Sequence, residues 1–365
     1  MRIAVIEHTG SGDYTEYILS LIEEKAKENN YQLKTWSNSV PASQQQVSQN
    51  AVIFISIESS SLFILNWLYK VKIPSILKKI KAEVAVNLNG IASDKIKIPQ
   101  LVAAGQFLFN KDIKKLKGAE HFAFKNLRLS LATAKSILVY SKERMNDLMN
   151  AGKEKFQAIK FTAPVVFRTF EWHDKIMVKA QQADNKEFFV AVIEDNNVGD
   201  FVLLLQAFSR FKKWQQSSMQ LLILPKYESL GDVIEAKHKT YKYRDDVRLI
   251  ENIEEKQIAA IIASAYAFIH LAKTYANLFI LSIAIQCSLP VISFEDDDVK
   301  EYAGNAGLYY KEKNAEALGN VLIQLYKDEN LHAQLKEAAN KQGMDLNRKN
   351  YEDELWQLIE TAARG

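Results

Sequence analysis

The sequence predicts an α/β protein with parallel sheets in two domains. Short apolar runs such as Val291-Ile292-Ser293-Phe294 alternate with helix-length segments along the chain, and strands separated by helices pair in parallel. The chain has 365 residues, and domains typically hold ~100 to 200, so two are expected. A polar interruption near the middle, 162–186, runs from Ala163-Pro164 to Gln181-Gln182-Ala183-Asp184-Asn185-Lys186, just before a new apolar strand, Phe188-Phe189-Val190-Ala191-Val192-Ile193.

In chain order, residues 1–6 (Met1-Arg2-Ile3-Ala4-Val5-Ile6) read as a first strand. The turn His8-Thr9-Gly10-Ser11-Gly12 follows, then a helix over 15–29. Residues 98–109 (IPQLVAAGQFLF) and 134–152 (AKSILVYSKERMNDLMNAG) read as a strand and as a strand, Ser and helix. In the second half, 247–250 is a short strand, 254–263 a helix and 267–270 (Ala267-Phe268-Ile269-His270) a strand. Residues 278–287 are an apolar helix, 289–294 a buried strand, and 314–327 a helix with Ala317, Leu318, Val321, Leu322 and Leu325 on one side. A last helix over 348–363 has Tyr351, Leu355, Leu358 and Ile359 to bury.

Composition narrows the function classes. One cysteine, Cys287, excludes an intramolecular disulfide framework and in its apolar helix reads as a core residue. No apolar run reaches the ~20 residues of a membrane span, and the first residues lack a signal peptide's charged start and cleavage site. The expected location is cytoplasmic, with the inner membrane surface open to it. Charge is split: residues 1–165 carry 23 Lys+Arg against 14 Asp+Glu, while 166–365 carry 24 against 30. The basic half contains the 67–81 segment, where Lys70, Lys72, Lys78, Lys79 and Lys81 alternate with large apolar residues. Two readings stand: a basic amphipathic helix in peripheral contact with an anionic membrane or a charged acceptor, or a core-packed helix with a solvated lysine face. The second kind of stripe is the commoner. Nucleic acid is not expected, because no nucleic-acid motif accompanies these lysines and the whole chain carries only +3.

Three stretches resemble the retaining family 4 glycosyltransferases (glycosyl transferase group 1). "IEEKQIAAIIASAYAFIHLAKTY" is similar to the family's helix and strand ending in His-Pro-Ser. "QCSLPVISFEDDDVKEYAGNAGLYYKEKNAEALGNVLIQLYKDENLHAQL" is similar to its Cys-Gly-x-Pro-Val strand, Glu-x5-Gly turn and terminal helices, and "FVLLLQAFSRFKKWQQSSMQLLILP" to the helix and strand that open that domain. The match is strongest after Phe188 and looser before it. The resemblance implies the GT-B fold, two Rossmann-like doubly wound parallel-sheet domains facing across a cleft. It implies an N-terminal acceptor-side domain at 1–165, a C-terminal nucleotide-sugar domain at 166–346, and a final helix, 347–365, crossing back to the N-terminal domain. The implied activity is transfer of a sugar from a nucleotide diphosphate to a glycan or lipid acceptor, with no resident cofactor.

The site the resemblance implies is degenerate. Such a transferase must stabilise charge growing on the diphosphate and fix the ribose and sugar hydroxyls. The family uses an Arg, a Lys and a Glu-x7-Glu pair. Aligned on Pro290-Val291-Ile292, that pair falls on Tyr275 and Ile283, which cannot accept hydrogen bonds as carboxylates do, and no acid occurs between Glu255 and Glu295. The cation positions fall at Glu194-Asp195 and near Val198. Glu295-Asp296-Asp297-Asp298 replaces the family's small loop, and two like charges ~4 Å apart repel by ~4 kcal/mol at an effective dielectric of ~20.

Retained donor-side candidates are His270, Lys273, Thr274, Tyr275 and Glu301, with Lys226 and Lys300 as further cations near strand ends. His270 ends a strand, where α/β ligands bind, though a lone His there also serves as a structural residue. Glu301 matches the family's Glu but also suits a capping role. Thr9, Gly10, Ser11 and Gly12 line the family's N-terminal cleft loop, or form an ordinary strand-to-helix turn, since they lack a phosphate-binding glycine signature. Gly105 and Gln106 stand where the family has an acceptor-side His-Asp pair. Asp296 and Asp297 offer a minor metal reading, Mg2+ bridging to the diphosphate, against the usual solvated acidic loop. Two function classes therefore stand, a glycosyltransferase with a divergent donor site and a non-catalytic pseudoenzyme that binds glycan or a protein partner. An unrelated ligand in the same cleft is a third.

Overall fold

In the computed structural model, the described residues are 1–8, 13–36, 48–59, 61–103, 118–139, 141–152, 159–162, 175–193, 197–225, 230–252, 255–271, 275–346 and 348–364. The chain divides into two compact units, one of Met1–Val165 with Arg348–Gly365, the other of Val166–Asn347.

The first unit runs β1 (Arg2–His8), α1 (Asp13–Glu28), β2 (Gln32–Thr35), β3 (Ala51–Ile57), α2 (Leu62–Trp67), a π turn (Leu68–Lys72), α3 (Ile73–Ile80), β4 (Val84–Asn87) and β5 (Gln100–Ala103). It continues through α4 (Gly118–Lys125), α5 (Leu127–Thr133), β6 (Ser136–Val139), α6 (Lys142–Gly152) and β7 (Ile159–Thr162). Its seven strands pair in parallel in the order β2-β3-β1-β4-β5-β6-β7. Ile3, Ala4, Val5 and Ile6 are all buried, as expected of a strand covered on both faces. The order reverses between β1 and β4, the place where ligands of open α/β sheets bind.

The second unit runs α7 (Lys175–Ala183), β8 (Phe188–Ile193), α8 (Val198–Gln215), β9 (Gln220–Pro225), α9 (Asp232–Lys239), β10 (Val247–Leu249), α10 (Glu255–Ser264) and β11 (Ala267–His270). Then come α11 (Tyr275–Gln286), β12 (Val291–Phe294), α12 (Asp297–Ala303), β13 (Gly307–Tyr310), α13 (Ala315–Lys327) and α14 (Glu329–Asp345). Six parallel strands follow the order β10-β9-β8-β11-β12-β13, which reverses between β8 and β11. This is the doubly wound Rossmann order. Phe189, Phe201, Phe208 and Phe211 fill the core between this sheet and α8.

The last helix, α15 (Arg348–Arg364), belongs to the first unit and packs on α1. Arg348 donates to Glu24 (3.0 Å), Ser20 Oγ (3.0 Å) and Glu352 (2.9 Å), and Trp356 meets Tyr31 edge-on at 5.0 Å. Its buried face is Glu352, Leu355, Trp356, Ile359 and Ala362. Tyr351 and Leu358, expected inside, are only half-buried. The sequence pattern missed Glu352 because a carboxylate enters a core only when, as here, a cation meets it.

Three other expectations change. The apolar helix expected over 278–287 starts at Tyr275 and ends at Gln286. The basic segment is helical without a break from Leu62 to Ile80 but holds a π turn between α2 and α3, and its core face runs from Leu65 and Tyr69 through Ile73, Ile76, Leu77 and Ile80 of α3. The strand expected over 98–109 is Gln100–Ala103, and 104–109 lie outside the described residues.

Candidate functional site

The carboxyl edge of the second sheet collects the ends of β8, β11 and β12 and the starts of α8, α11 and α12. His270 closes β11 beside the reversal point, and Ser293 is its register partner on β12. The imidazole is 3% exposed, with Nδ1 3.3 Å from Ser293 Oγ. Ser293 Oγ donates to Phe294 O at 2.9 Å, so it accepts from His270 Nδ1–H. That fixes the tautomer and leaves Nε2 a bare acceptor, buried and without a hydrogen-bond partner among the described residues. Burial lowers the His270 pKa to about 4, so the ring is neutral at pH 7.

The helix starts around it carry the protein's own anions. Asn197 caps α8, accepting from Asp200 N at 3.1 Å and donating Nδ2–H to Asp200 Oδ2 at 2.9 Å. Asp200 is 7% exposed and meets Lys313 at 3.3 Å. A carboxylate therefore already sits in the first turn of α8, where the helix dipole favours negative charge. At α12, Asp296 Oδ1 accepts from Asp298 N at 3.1 Å, the ordinary N-cap bond. Glu295 is bound to Lys300 at 2.5 Å, and that contact holds its carboxyl below the usual range and raises the Lys300 ammonium. Glu301 lies half-buried within α12, with Asp297 exposed in its first turn. The acidic run thus has local structural work at Glu295 and Asp296. Among the described residues, no group of three or more His, Cys, Asp or Glu side chains is placed to hold a metal.

Helix α11 supplies no charge. None of its residues is ionisable as an acid or a base at neutral pH, and Ile283, at the place of the family's second glutamate, is 1% exposed. The side chain of Tyr275 and residues Lys273, Thr274, Lys226, Glu194 and Asp195 lie outside the described residues, as do Thr9, Gly10, Ser11, Gly12, Gly105 and Gln106. Cys287 follows α11, its thiol pushed up to about 12 by burial, and it is protonated and unreactive at pH 7.

The carboxyl edge of the first sheet holds a neutral cluster that sequence reasoning missed. His8, ending β1, places Nε2 3.0 Å from Tyr69 Oη, which donates to Asn87 Oδ1 at 3.2 Å. Tyr69 therefore accepts from His8 Nε2–H, and His8 Nδ1 is left as a buried acceptor with no partner among the described residues. Burial lowers the His8 pKa to about 4 and raises that of Tyr69. Among the described residues, Asn87 Nδ2 and Asn89 Oδ1 are also buried without partners. His8 and Tyr69 are 61 residues apart, so no local pattern announced the contact.

By sequence, the family model described as "Glycosyl transferases group 1" matches residues 173–342, most of the second unit. No curated protein matches the chain by sequence. By structure, it is similar to sucrose-phosphate synthase from Thermosynechococcus elongatus, at 14% identity and a TM-score of 0.71 over 99% of this chain and 98% of that one. It is similar to WaaG, a glycosyltransferase involved in lipopolysaccharide biosynthesis, at 14% identity and a TM-score of 0.67 over 98% and 99% of the chains. Similarity to Anabaena HepE, whose structure contains UDP and glucose, is at 13% identity and a TM-score of 0.68 over 99% and 100%. In the sequence of its second unit and in the fold of its sheets, this chain resembles the group 1 glycosyltransferases and their GT-B architecture.

Proposed function

We propose that the chain takes a nucleotide diphosphate sugar at the carboxyl edge of the second sheet and transfers the sugar to a glycan or lipid acceptor, through contacts unlike the family's charged set. The supporting observation is His270 Nε2, a neutral, buried acceptor at the strand reversal. A buried polar atom without a partner destabilises a fold by about 1–3 kcal/mol, and a ligand hydroxyl donating to it removes that penalty. In this reading hydroxyl recognition replaces the missing Glu-x7-Glu carboxylates. That Anabaena HepE holds UDP and glucose on a similar fold supports the ligand class. The diphosphate is gripped weakly, because Asp200 and Asp296 already occupy the helix starts.

The test is release of free nucleotide from UDP-, GDP- and ADP-sugars, with wild type and His270→Phe. The reading expects slow turnover of one donor that the substitution abolishes. Turnover unaffected by His270→Phe removes the role given to this residue.

A second reading has its own support. The same self-capped helix starts suit a non-catalytic pseudoenzyme that binds glycan or serves as partner subunit to an active transferase. Such a protein ignores nucleotides and copurifies with another chain.

A further inference from the structure

We propose that the outer face of residues 62–81 docks onto an anionic lipid bilayer. The segment carries two stripes at four-residue spacing. The inner one, Leu65, Tyr69 and Ile73, is buried and continues through Ile76, Leu77 and Ile80. The outer one is Phe63, Trp67 and Val71, which are 82%, 47% and 54% exposed, flanked by the exposed Leu62 and Ile64. On an α-helix a four-residue step drifts by about 40°, and the wider π turn, Leu68–Lys72, takes up that drift so that each stripe keeps its side. Tyr69 pins the turn from within through His8 and Asn87. The outer apolar side chains are thus held out by a fixed backbone.

Charge identifies the occupant. No Asp or Glu lies between Glu58 and Glu83, while five lysines do, at 70, 72, 78, 79 and 81. Lys79 lies over the Trp36 ring at 5.2 Å; Lys70, Lys78 and Lys81 are exposed and Lys72 half-buried. Asp94, the acid that feels Lys70, is already paired with Lys95 at 2.9 Å. Aromatic and aliphatic side chains at a boundary flanked by lysines match the interface of a bilayer with anionic headgroups. A second copy of the chain fits poorly, since a two-fold contact would set these lysines against their own copies. Among the described residues no helix is long and apolar enough to cross a membrane, so the contact is interfacial.

This inference does not depend on nucleotide binding. The experiment is cosedimentation of the full chain with phosphatidylcholine vesicles, with and without about 30% phosphatidylglycerol. The expected result is binding to the anionic vesicles only, weakened by salt. Phe63→Ser/Trp67→Ser should reduce it about tenfold or more, with unchanged circular dichroism and Tm. Brominated lipid should quench a tryptophan component that Trp67→Phe removes. No binding at low salt, wild-type binding by the double variant, or quenching unchanged in Trp67→Phe would overturn the proposal. So would a dimer in solution that the double variant dissolves, which would assign the face to a second copy.

Discussion

The two sheets end in the same device with different surroundings. Each places a histidine, His8 or His270, on a strand beside the point where strand order reverses, buries it, commits one ring nitrogen and leaves the other bare. Around His8 the partners are neutral, Tyr69, Asn87 and Asn89. Around His270 the helix starts carry Asp200 and Asp296. Strand order sets where a ligand can reach a sheet, while the residues that open the helices set which charge is welcome there. The second edge keeps the Rossmann strand order, and its helix starts carry negative charge where an incoming anion would have to sit.

Acid is the strongest way to stress both edges at once. Each histidine has a folded pKa of about 4 against an ordinary 6.5. Between these values the unfolded chain binds more protons, so stability is fully present above about pH 6.5 and falls as pH drops toward 4. The loss is up to about 3 kcal/mol per histidine. Urea unfolding across this window should show it, and His8→Gln and His270→Gln should each flatten part of the slope. Equal slopes in both variants and wild type would contradict the burial account.

Next in size is Arg348→Ala, which leaves Glu352 buried without its close cation and should cost about 3 kcal/mol in urea unfolding. It separates the docking of α15 from the histidine edges, whose acid response should persist. Tyr69→Phe and Ser293→Ala each strip one histidine of its committed partner. Each should cost about 1–3 kcal/mol, with Tyr69→Phe the larger because it also strands Asn87 Oδ1. The smallest effect is Asn197→Ala, about 1 kcal/mol for a lost cap. Asp200→Asn sharpens the comparison differently: it should strengthen diphosphate binding at the second edge, read by titration, and leave the first edge unchanged.

The sequence showed the alternation of strands and helices because buried parallel strands such as Phe188–Ile193 are apolar without interruption. It also showed the missing glutamates, since α11 has no ionisable carboxylate to misplace. It did not show the π turn, because the lysines and apolar residues of 67–81 suit one continuous helix. Nor did it show the His8–Tyr69–Asn87 cluster, which depends on long-range packing, or that Asp200 would fold back on Asn197 beside Lys313. The acidic run at Glu295 read as a ligand feature or a solvated loop, and cap geometry accounts for Asp296 within it.

The central claim is that the second edge takes a nucleotide-activated sugar by neutral contacts rather than by the family's charges. Calorimetric titration of the full chain with UDP, GDP and ADP, each with and without Mg2+, tests it most directly. The account predicts micromolar binding of one nucleotide, independent of Mg2+ and weakened in His270→Phe. Affinity that appears only with Mg2+ or Mn2+ and vanishes in Asp296→Ala/Asp297→Ala would replace the neutral contacts with a metal bridge. No binding of any nucleotide would contradict the claim and leave the non-catalytic reading.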